Sequence, residues 1–351
     1  MREPSCAISF RYDAPEAPPC AVAEELAEIA HLSPLEEDSY MLGGTVAKFE
    51  EAFAALLGME RAVLMPTGTL ANHLAVRALA KGRSRVIVQE RGHLYNDSGD
   101  CLQRLSGFNV VPLGRDQATF SLEEVQAATR VAEASRVRVE IGALVIETPV
   151  RRKQGELFNH QEMQRICAYA REHGIGLHLD GARLFIAAAY TGISVPAYAA
   201  EFDTVYISLY KYFGTPCGAM LAGPAALLDG IHHERRMFGG ALSQAWPFAA
   251  PALQHMSSFS ARFARVIEVS EAFKERLRSN PGFLLTDIPN GTNICRLELS
   301  SRADPRGFGA RLKELGIRLP SPENGAYFLK MNESMLAMPA DDLAQCFSRA
   351  L

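Results

Sequence analysis

Two apolar runs in this chain end on side chains that could do chemistry together. Leu177-His178-Leu179-Asp180-Gly181-Ala182-Arg183 reads as a buried strand that reaches a carboxylate and then turns. Val205-Tyr206-Ile207-Ser208-Leu209-Tyr210-Lys211 reads as a second buried strand ending on a lysine. An anion at one strand end and an amine at the next is the pair that pyridoxal phosphate chemistry needs. The amine forms a Schiff base with the cofactor's aldehyde, and the carboxylate keeps the pyridine nitrogen protonated. A protonated ring draws electrons from a substrate's α-carbon. The lysine must be neutral to attack, and a desolvated, partly cationic pocket lowers its pKa. The plainer alternatives are a surface lysine at a strand end and an aspartate capping the next helix.

Such residues need elements to bring them together. Residues 45–57 carry Val46, Phe49, Phe53, Leu56 and Leu57 on one helical face, closed by Gly58. Val63-Leu64-Met65 is a brief strand, Pro66-Thr67-Gly68-Thr69 the turn after it, and 70–80 a helix. Strands follow at 86–88, 110–113 and 143–146, the last ending at Glu147. A helix starts at a capping box, Ser121 to Glu124. Another covers 161–172, with Met163, Ile166, Cys167 and Ala170 inward. After the two runs above comes Ala219-Met220-Leu221. This alternation predicts an α/β fold, a mostly parallel sheet with helices on both faces. Such sheets bind ligands at the carboxyl ends of their strands, where Gly68, Asp180 and Lys211 all fall. The pattern changes after about residue 235. A long helical stretch at 249–278, apolar pieces at 293–299 and 326–329, and helical runs at 308–315 and 340–349 predict a smaller α+β domain. The expected organisation is an N-terminal arm at 1–44, helical near 21–30, a large domain at 45–245 and a small one at 246–351.

Composition bounds the rest. The chain has 351 residues, 48% hydrophobic and 22% charged, which is ordinary for a globular protein. A chain of this size buries roughly three quarters of its unfolded surface without staples. A net charge of -4 is too mild to argue for nucleic acid or an anionic membrane. No apolar run approaches the ~20 residues of a membrane span, and residues 1–13 lack the apolar core of a signal peptide. Seven scattered cysteines without a C-x-x-C argue for reduced thiols and a cytoplasmic setting. The histidines show no metal-ligand spacing, and no G-x-G-x-x-G points to a dinucleotide.

The ordered motifs resemble the threonine aldolase and β-eliminating lyase family, pyridoxal phosphate enzymes of the aspartate-aminotransferase fold. Thr67-Gly68-Thr69-Leu70-Ala71-Asn72 resembles its phosphate turn. His178-Leu179-Asp180-Gly181-Ala182-Arg183-Leu184-Phe185 is a close match, and Lys211 with Gly214, Pro216 and Gly218 resembles its lysine segment. Arg236-Met237-Phe238-Gly239-Gly240 with Gln244 resembles a loop that reaches a neighbouring subunit's site. The resemblance implies a Schiff-base role for Lys211, Asp180 at the pyridine nitrogen, and Gly68 and Thr69 at the phosphate. It also implies His93 stacked on the ring and Arg183 near the ring's phenolate oxygen or a substrate carboxylate. A homodimer or homotetramer and a small amino-acid substrate go with it. The bland readings are a plain turn at Gly68-Thr69, a surface His93 and an ion pair that pins the turn at Arg183. His178 reads as structural.

The departures from the family concern the substrate. Tyr12, expected at the substrate, stands where a serine is usual. Ala241-Leu242-Ser243 carries no arginine before Gln244, and Phe328 or a neighbour replaces a carboxylate-binding arginine. Asp97 and Ser98 replace an aromatic and a glutamate. Pro149-Val150-Arg151-Arg152-Lys153 replaces a loop with asparagine and histidine. Arg151, Arg152 and Lys153 are either a solvated loop or a restored positive charge at the pocket. The expected activity is cleavage of a β-hydroxy-α-amino acid to glycine and an aldehyde. β-Elimination, racemisation or transamination of another amino acid is the alternative, and a cofactor-holding protein with little catalysis a third.

Overall fold

A run such as Ala143-Leu144-Val145-Ile146 has no polar alternation, so the strand it forms must be covered on both faces. The computed structural model bears this out; it describes residues 8–300 and 307–351, so the first seven residues of the expected arm lie outside the described residues. In chain order the strands are β1 (Ile8–Ser9), β2 (Arg61–Met65), β3 (Arg85–Gln89), β4 (Asn109–Leu113), β5 (Ile141–Glu147), β6 (Gly176–Asp180), β7 (Thr204–Ser208), β8 (Ala219–Gly223), β9 (Phe283–Asp287), β10 (Ile294–Leu299), β11 (Ile317–Arg318) and β12 (Ala326–Lys330). Seven form one sheet in the order β2-β8-β7-β6-β5-β3-β4. The pairs from β7 through β4 are parallel, and only β8 runs against its neighbours. Every residue of β5, β7 and β8 is buried. Edge strand β4 is partly exposed and tolerates Pro112.

Alternate residues of the central strands feed two cores. Leu144, Ile146, Leu177 and Leu179 join Phe49 and Phe53 of helix Gly44–Leu57 and Met163 and Ile166 of helix His160–Glu172. Val86, Val88, Ala143 and Val145 face the other way, against Val76 and Leu79 of helix Gly68–Ala80. The fold is therefore α/β, with helices on both faces.

Two glycines set where helix Gly68–Ala80 lies. A Cβ on Gly142 would stand 2.9 Å from the Ala80 Cα, and one on Gly176 2.8 Å from the Leu79 Cβ. Only residues without a Cβ let the helix's last turn seat this closely on the starts of β5 and β6. The helix is about 20 Å long, slightly more than the roughly 16 Å that separates Gly142 from the end of β5 or that five-residue β6 spans. Its first turn therefore falls at the far ends of those strands.

β7 ends at Ser208, three residues before Lys211, which sits in a turn. The apolar pattern runs on because Leu209 is fully buried although it has left the ladder; its N–H donates to Gly218 O (3.1 Å). Beyond the lysine, Phe213 is locked among Phe53, Phe185 and Phe259 at 5.2–6.1 Å. Tyr212 Oη donates to Ala182 O (2.7 Å), which ties the lysine turn to the Asp180 turn.

The C-terminal part is a smaller antiparallel sheet, β12-β10-β9, with helices Phe259–Arg278, Phe308–Glu314 and Ala340–Ala350. Strand β9 has no counterpart among the expected elements. The helical stretch expected at 249–278 is two helices, Trp246–Met256 and Phe259–Arg278, parted at Ser257-Ser258. Serine hydroxyls compete for helix backbone groups, and here Ser258 Oγ and Arg262 Nη1 both donate to His255 O (3.3 Å each). The arm serves this part: β1 runs parallel to β11, and Phe10 packs between Phe273 and Phe347. Helix Pro19–Leu32 follows. Among the described residues no helix is long and apolar enough to cross a membrane.

Candidate active site

Parallel strands deliver their carboxyl ends to one edge of the sheet. There Glu147 of β5 stands opposite Asp180 of β6, and Asp180 opposite Tyr206 of β7. Asp180 is buried; its Oδ2 accepts from Asn72 Nδ2 (2.7 Å) and its Oδ1 from Ala182 N–H (3.2 Å). Lys211 is half-buried, and its amine makes no hydrogen bond or ion pair among the described residues. Burial, seconded by the Arg183 guanidinium, pulls its pKa down to about 7 against the opposing pull of Asp13, Asp180 and Glu147. The amine thus lies within electrostatic reach of three carboxylates, those of Asp13, Asp180 and Glu147.

Asp180 is the end of a buried chain. An ionised carboxylate only accepts, so the Asn72 atom facing it is the amide nitrogen. Asn72 Oδ1 then accepts from His178 Nε2–H (2.9 Å), which leaves His178 Nδ1 to accept from the Thr204 hydroxyl (2.8 Å). Burial holds His178 down at about 4, so this imidazole stays neutral and the direction of the chain is fixed. His178 is structural, as expected, but what it supports is Asp180.

Arg183 lies three residues past Asp180 and is buried. Its Nε donates to Asp13 Oδ2 (3.0 Å), and its Nη2 lies 2.9 Å from the same oxygen as an ion pair. Burial opposes the charge on each, but the pair prevails: Asp13 is held below the usual carboxylate range, and Arg183 stays charged. Asp13 is the arm residue that enters the pocket. Tyr12, beside it, is 49% exposed and rests its ring against Arg11, so the arrangement does not bring Tyr12 into the cluster.

Glu147 accepts from the backbone N–H groups of His93 (2.5 Å) and Arg151 (2.9 Å). Burial, with Asp180 alongside, pushes its carboxyl up to about 7. It thereby holds His93 at the sheet edge, the first residue of a short helix, His93–Asn96. His93 Nδ1 is 3.7 Å from Asp97 Oδ2. Asp97 also takes Arg151 (3.2 Å) and, through two N–H groups, Arg152 (2.7 and 3.1 Å). Lys153 donates to Asp116 O (3.0 Å). Each of the three cations thus has a partner, Asp97 or the Asp116 carbonyl.

The first turn of helix Gly68–Ala80 completes the edge. Thr67, not Thr69, caps it, accepting from Leu70 N–H (3.2 Å), so the Thr69 hydroxyl is not consumed as a cap. A Cβ on Gly68 would overlap the Tyr206 hydroxyl. Ser208, also at this edge, has a buried hydroxyl with no partner among the described residues. Free first-turn N–H groups, a position closed to any Cβ and an orphaned hydroxyl suit an anion such as a phosphate. Among the described residues no group of three His, Cys, Asp or Glu could hold a metal ion.

Residues 21–296 match the family model described as beta-eliminating lyase. The chain belongs to that family. This lyase is similar to low-specificity L-threonine aldolase 1 of Arabidopsis thaliana, 23% identical over 94% of this chain and 89% of the relative. Its fold is similar to the solved structure of a candidate aromatic amino acid beta-eliminating lyase/threonine aldolase from Exiguobacterium sp. 255-15. That match has a TM-score of 0.81 and 26% identity, over 99% of each chain. A candidate L-allo-threonine aldolase from Listeria monocytogenes EGD-E gives a TM-score of 0.80 and 26% identity, over 99% of this chain and 97% of the other. The cofactor of this lyase is pyridoxal phosphate. The residues present fit it: an amine without a hydrogen bond or ion pair, a buried anion fixed by Asn72, and the buried Ser208 hydroxyl at the end of β7.

Asn72, Asp13, Glu147 and Ser208 were not anticipated as site residues. Ser208 carried a signal, three residues before Lys211 on a run otherwise apolar or aromatic. Asn72 stood within the motif that resembles the phosphate turn, but nothing local tied it to Asp180 or His178, 108 and 106 residues away, and nothing tied Asp13 to Arg183, 170 residues away.

Proposed function

We propose that this lyase splits the Cα–Cβ bond of a β-hydroxy-α-amino acid, releasing glycine and an aldehyde. The observation that carries the reading is the unpaired Lys211 amine, drawn down to about 7, in one pocket with Asp180 and Arg183. Pyridoxal phosphate, when bound, supplies an aldehyde for that amine and a ring that accepts an electron pair from the substrate's α-carbon. In this reading Gly68 and Thr69 hold the phosphate through backbone N–H groups and the Thr69 hydroxyl, with Ser208 as a further donor. Asp180 would be the carboxylate that keeps a proton on the ring nitrogen. His93, at the same sheet edge, would be the residue to cover a ring face and the imidazole at hand to take the β-hydroxyl proton. Arg183 turns the N–H groups that Asp13 leaves free toward the substrate carboxylate. Lys211, once released, carries a proton to or from the α-carbon. The relatives named threonine aldolase support this bond choice. Incubating the holoenzyme with threonine should yield glycine and acetaldehyde in equal amounts; the absence of both refutes the reading.

A second reading keeps the cofactor and changes the bond, to β-elimination, racemisation or transamination. What favours it is the loop after Glu147, where Val150 is buried and Arg151 and Arg152 turn to Asp97. A panel of amino acids scored for keto acid and inverted stereochemistry separates the two. We further propose a homodimer or homotetramer, with the large domain at 45–245 and the small one at 246–351. The described cysteines are free thiols, which suits a cytoplasmic setting.

A further inference from the structure

Lys330, the last residue of β12, belongs to the small sheet, yet its surroundings belong to the pocket. Its backbone N–H donates to Phe10 O (3.1 Å), and Asn332 Nδ2 donates to Tyr12 O (2.8 Å). The arm is thus pinned along the end of β12 and carries Asp13 straight on to Arg183. Charged groups within electrostatic reach of Lys330 include Asp13, Arg183, Arg151 and Glu323, and burial lowers its pKa. Its side chain is half-buried, but its ammonium makes no hydrogen bond or ion pair among the described residues. Lys274 shows the usual solution for a buried ammonium here, held by Glu271 (2.6 Å) and Asp287 (3.0 Å). A cation withdrawn from water without an anion of its own is costly unless a ligand completes it.

The neighbouring guanidinium has most of its five donors free. Asp13 Oδ2 accepts from Nε and lies 2.9 Å from Nη2, so Nη1 and at least one Nη2 hydrogen remain. Arg183 and Lys330 share Asp13 as an electrostatic neighbour, so a planar two-oxygen anion drawn to those donors would also feel Lys330. We infer that Lys330 and the free edge of Arg183 together clamp the carboxylate of the amino-acid substrate, which makes Lys330 a specificity-determining residue. The inference rests on the proposed function only in that the ligand is an amino acid. It does not depend on which bond breaks. Asp13 serves as the permanent counter-ion that keeps two cations together when no substrate is bound.

The test is a binding titration, with glycine and glycinamide as probes, on the holoenzyme of the wild type, Lys330→Met and Lys330→Arg. The readout is the dissociation constant from the cofactor's visible absorbance, with cofactor affinity and Tm as folding controls. Losing a charge-assisted hydrogen bond corresponds to roughly a 10- to 100-fold change. Lys330→Met should weaken glycine by that factor and leave glycinamide within about twofold of wild type; Lys330→Arg should restore most of the glycine affinity. If Lys330→Met weakens both probes alike, or neither, Lys330 only balances Asp13 and the proposal is overturned. A wild type that binds no amino acid overturns it too. A wild type that binds glycine but cleaves no β-hydroxy amino acid sinks the proposed bond choice alone, and the glycine-to-glycinamide ratio still decides Lys330.

Discussion

Asn72 is the residue whose replacement best tests the site's internal logic. It is fully buried and makes two bonds of opposite sense: Nδ2 donates to Asp180 (2.7 Å) and Oδ1 accepts from His178 (2.9 Å). Asn72→Leu keeps the volume and removes both. The bond to the carboxylate is charge-assisted, worth about 1.5–3 kcal/mol, and each 1.4 kcal/mol is a factor of ten. If that bond holds Asp180 against the ring nitrogen, the cofactor's dissociation constant should rise roughly 10- to 100-fold. The His178 N–H is left buried without an acceptor, which costs about 1–3 kcal/mol of stability. Thr204→Val serves as the control, since it cuts the chain at its far end and spares the Asp180 bond. It should lower Tm while changing cofactor affinity by less than about threefold. The assay follows cofactor release by absorbance on serial dilution, with thermal unfolding of the apo-protein alongside. An Asn72→Leu protein that loses Tm but holds cofactor as tightly as wild type would show that the chain only packs the interior.

Three further outcomes follow from the same geometry. With Lys211 near 7, the neutral fraction rises from about one tenth at pH 6 to about nine tenths at pH 8. Cofactor uptake by apo-protein should therefore climb about tenfold and level off; a rate still rising log-linearly to pH 10 contradicts the depressed amine. His178 has a folded pKa of about 4 against an ordinary 6.5, so the unfolded chain binds its proton first. Stability should fall as pH drops from 6.5 toward 4, by up to about 3 kcal/mol, and urea titrations of His178→Gln should show a flatter profile. Gly68→Ala pushes a methyl into the Tyr206 hydroxyl. It should cost about 1–3 kcal/mol, and adding Tyr206→Phe should recover part of it, as read by Tm.

The large sheet was legible because its strands are buried on both faces, so their apolar runs stand out wherever a turn residue ends them. Asp180, Lys211 and Gly68 were legible for the same reason, as polar or glycine breaks at those ends. Legibility failed where burial and ladder part company. Leu209 looks like strand and is not, while two-residue β1 and β11 are strands too short to carry a pattern. It failed again for the supporting groups. Asn72 lies mid-helix, where sequence predicts only a polar residue in an apolar stretch. Nothing local marks Asp13 as the partner of Arg183, because that pairing exists only once the small sheet has folded and laid the arm across the gap.

That arm has a consequence for anyone who edits the protein's beginning. Three separate attachments run through six consecutive residues: Ile8 against Ile317, Phe10 to Lys330, and Asp13 onto Arg183. Clipping the chain ahead of Ala14 would do more than shorten it. It would strand a buried guanidinium with no negative neighbour in contact, a defect on the order of 3–5 kcal/mol, at the spot where the ligand is to be gripped.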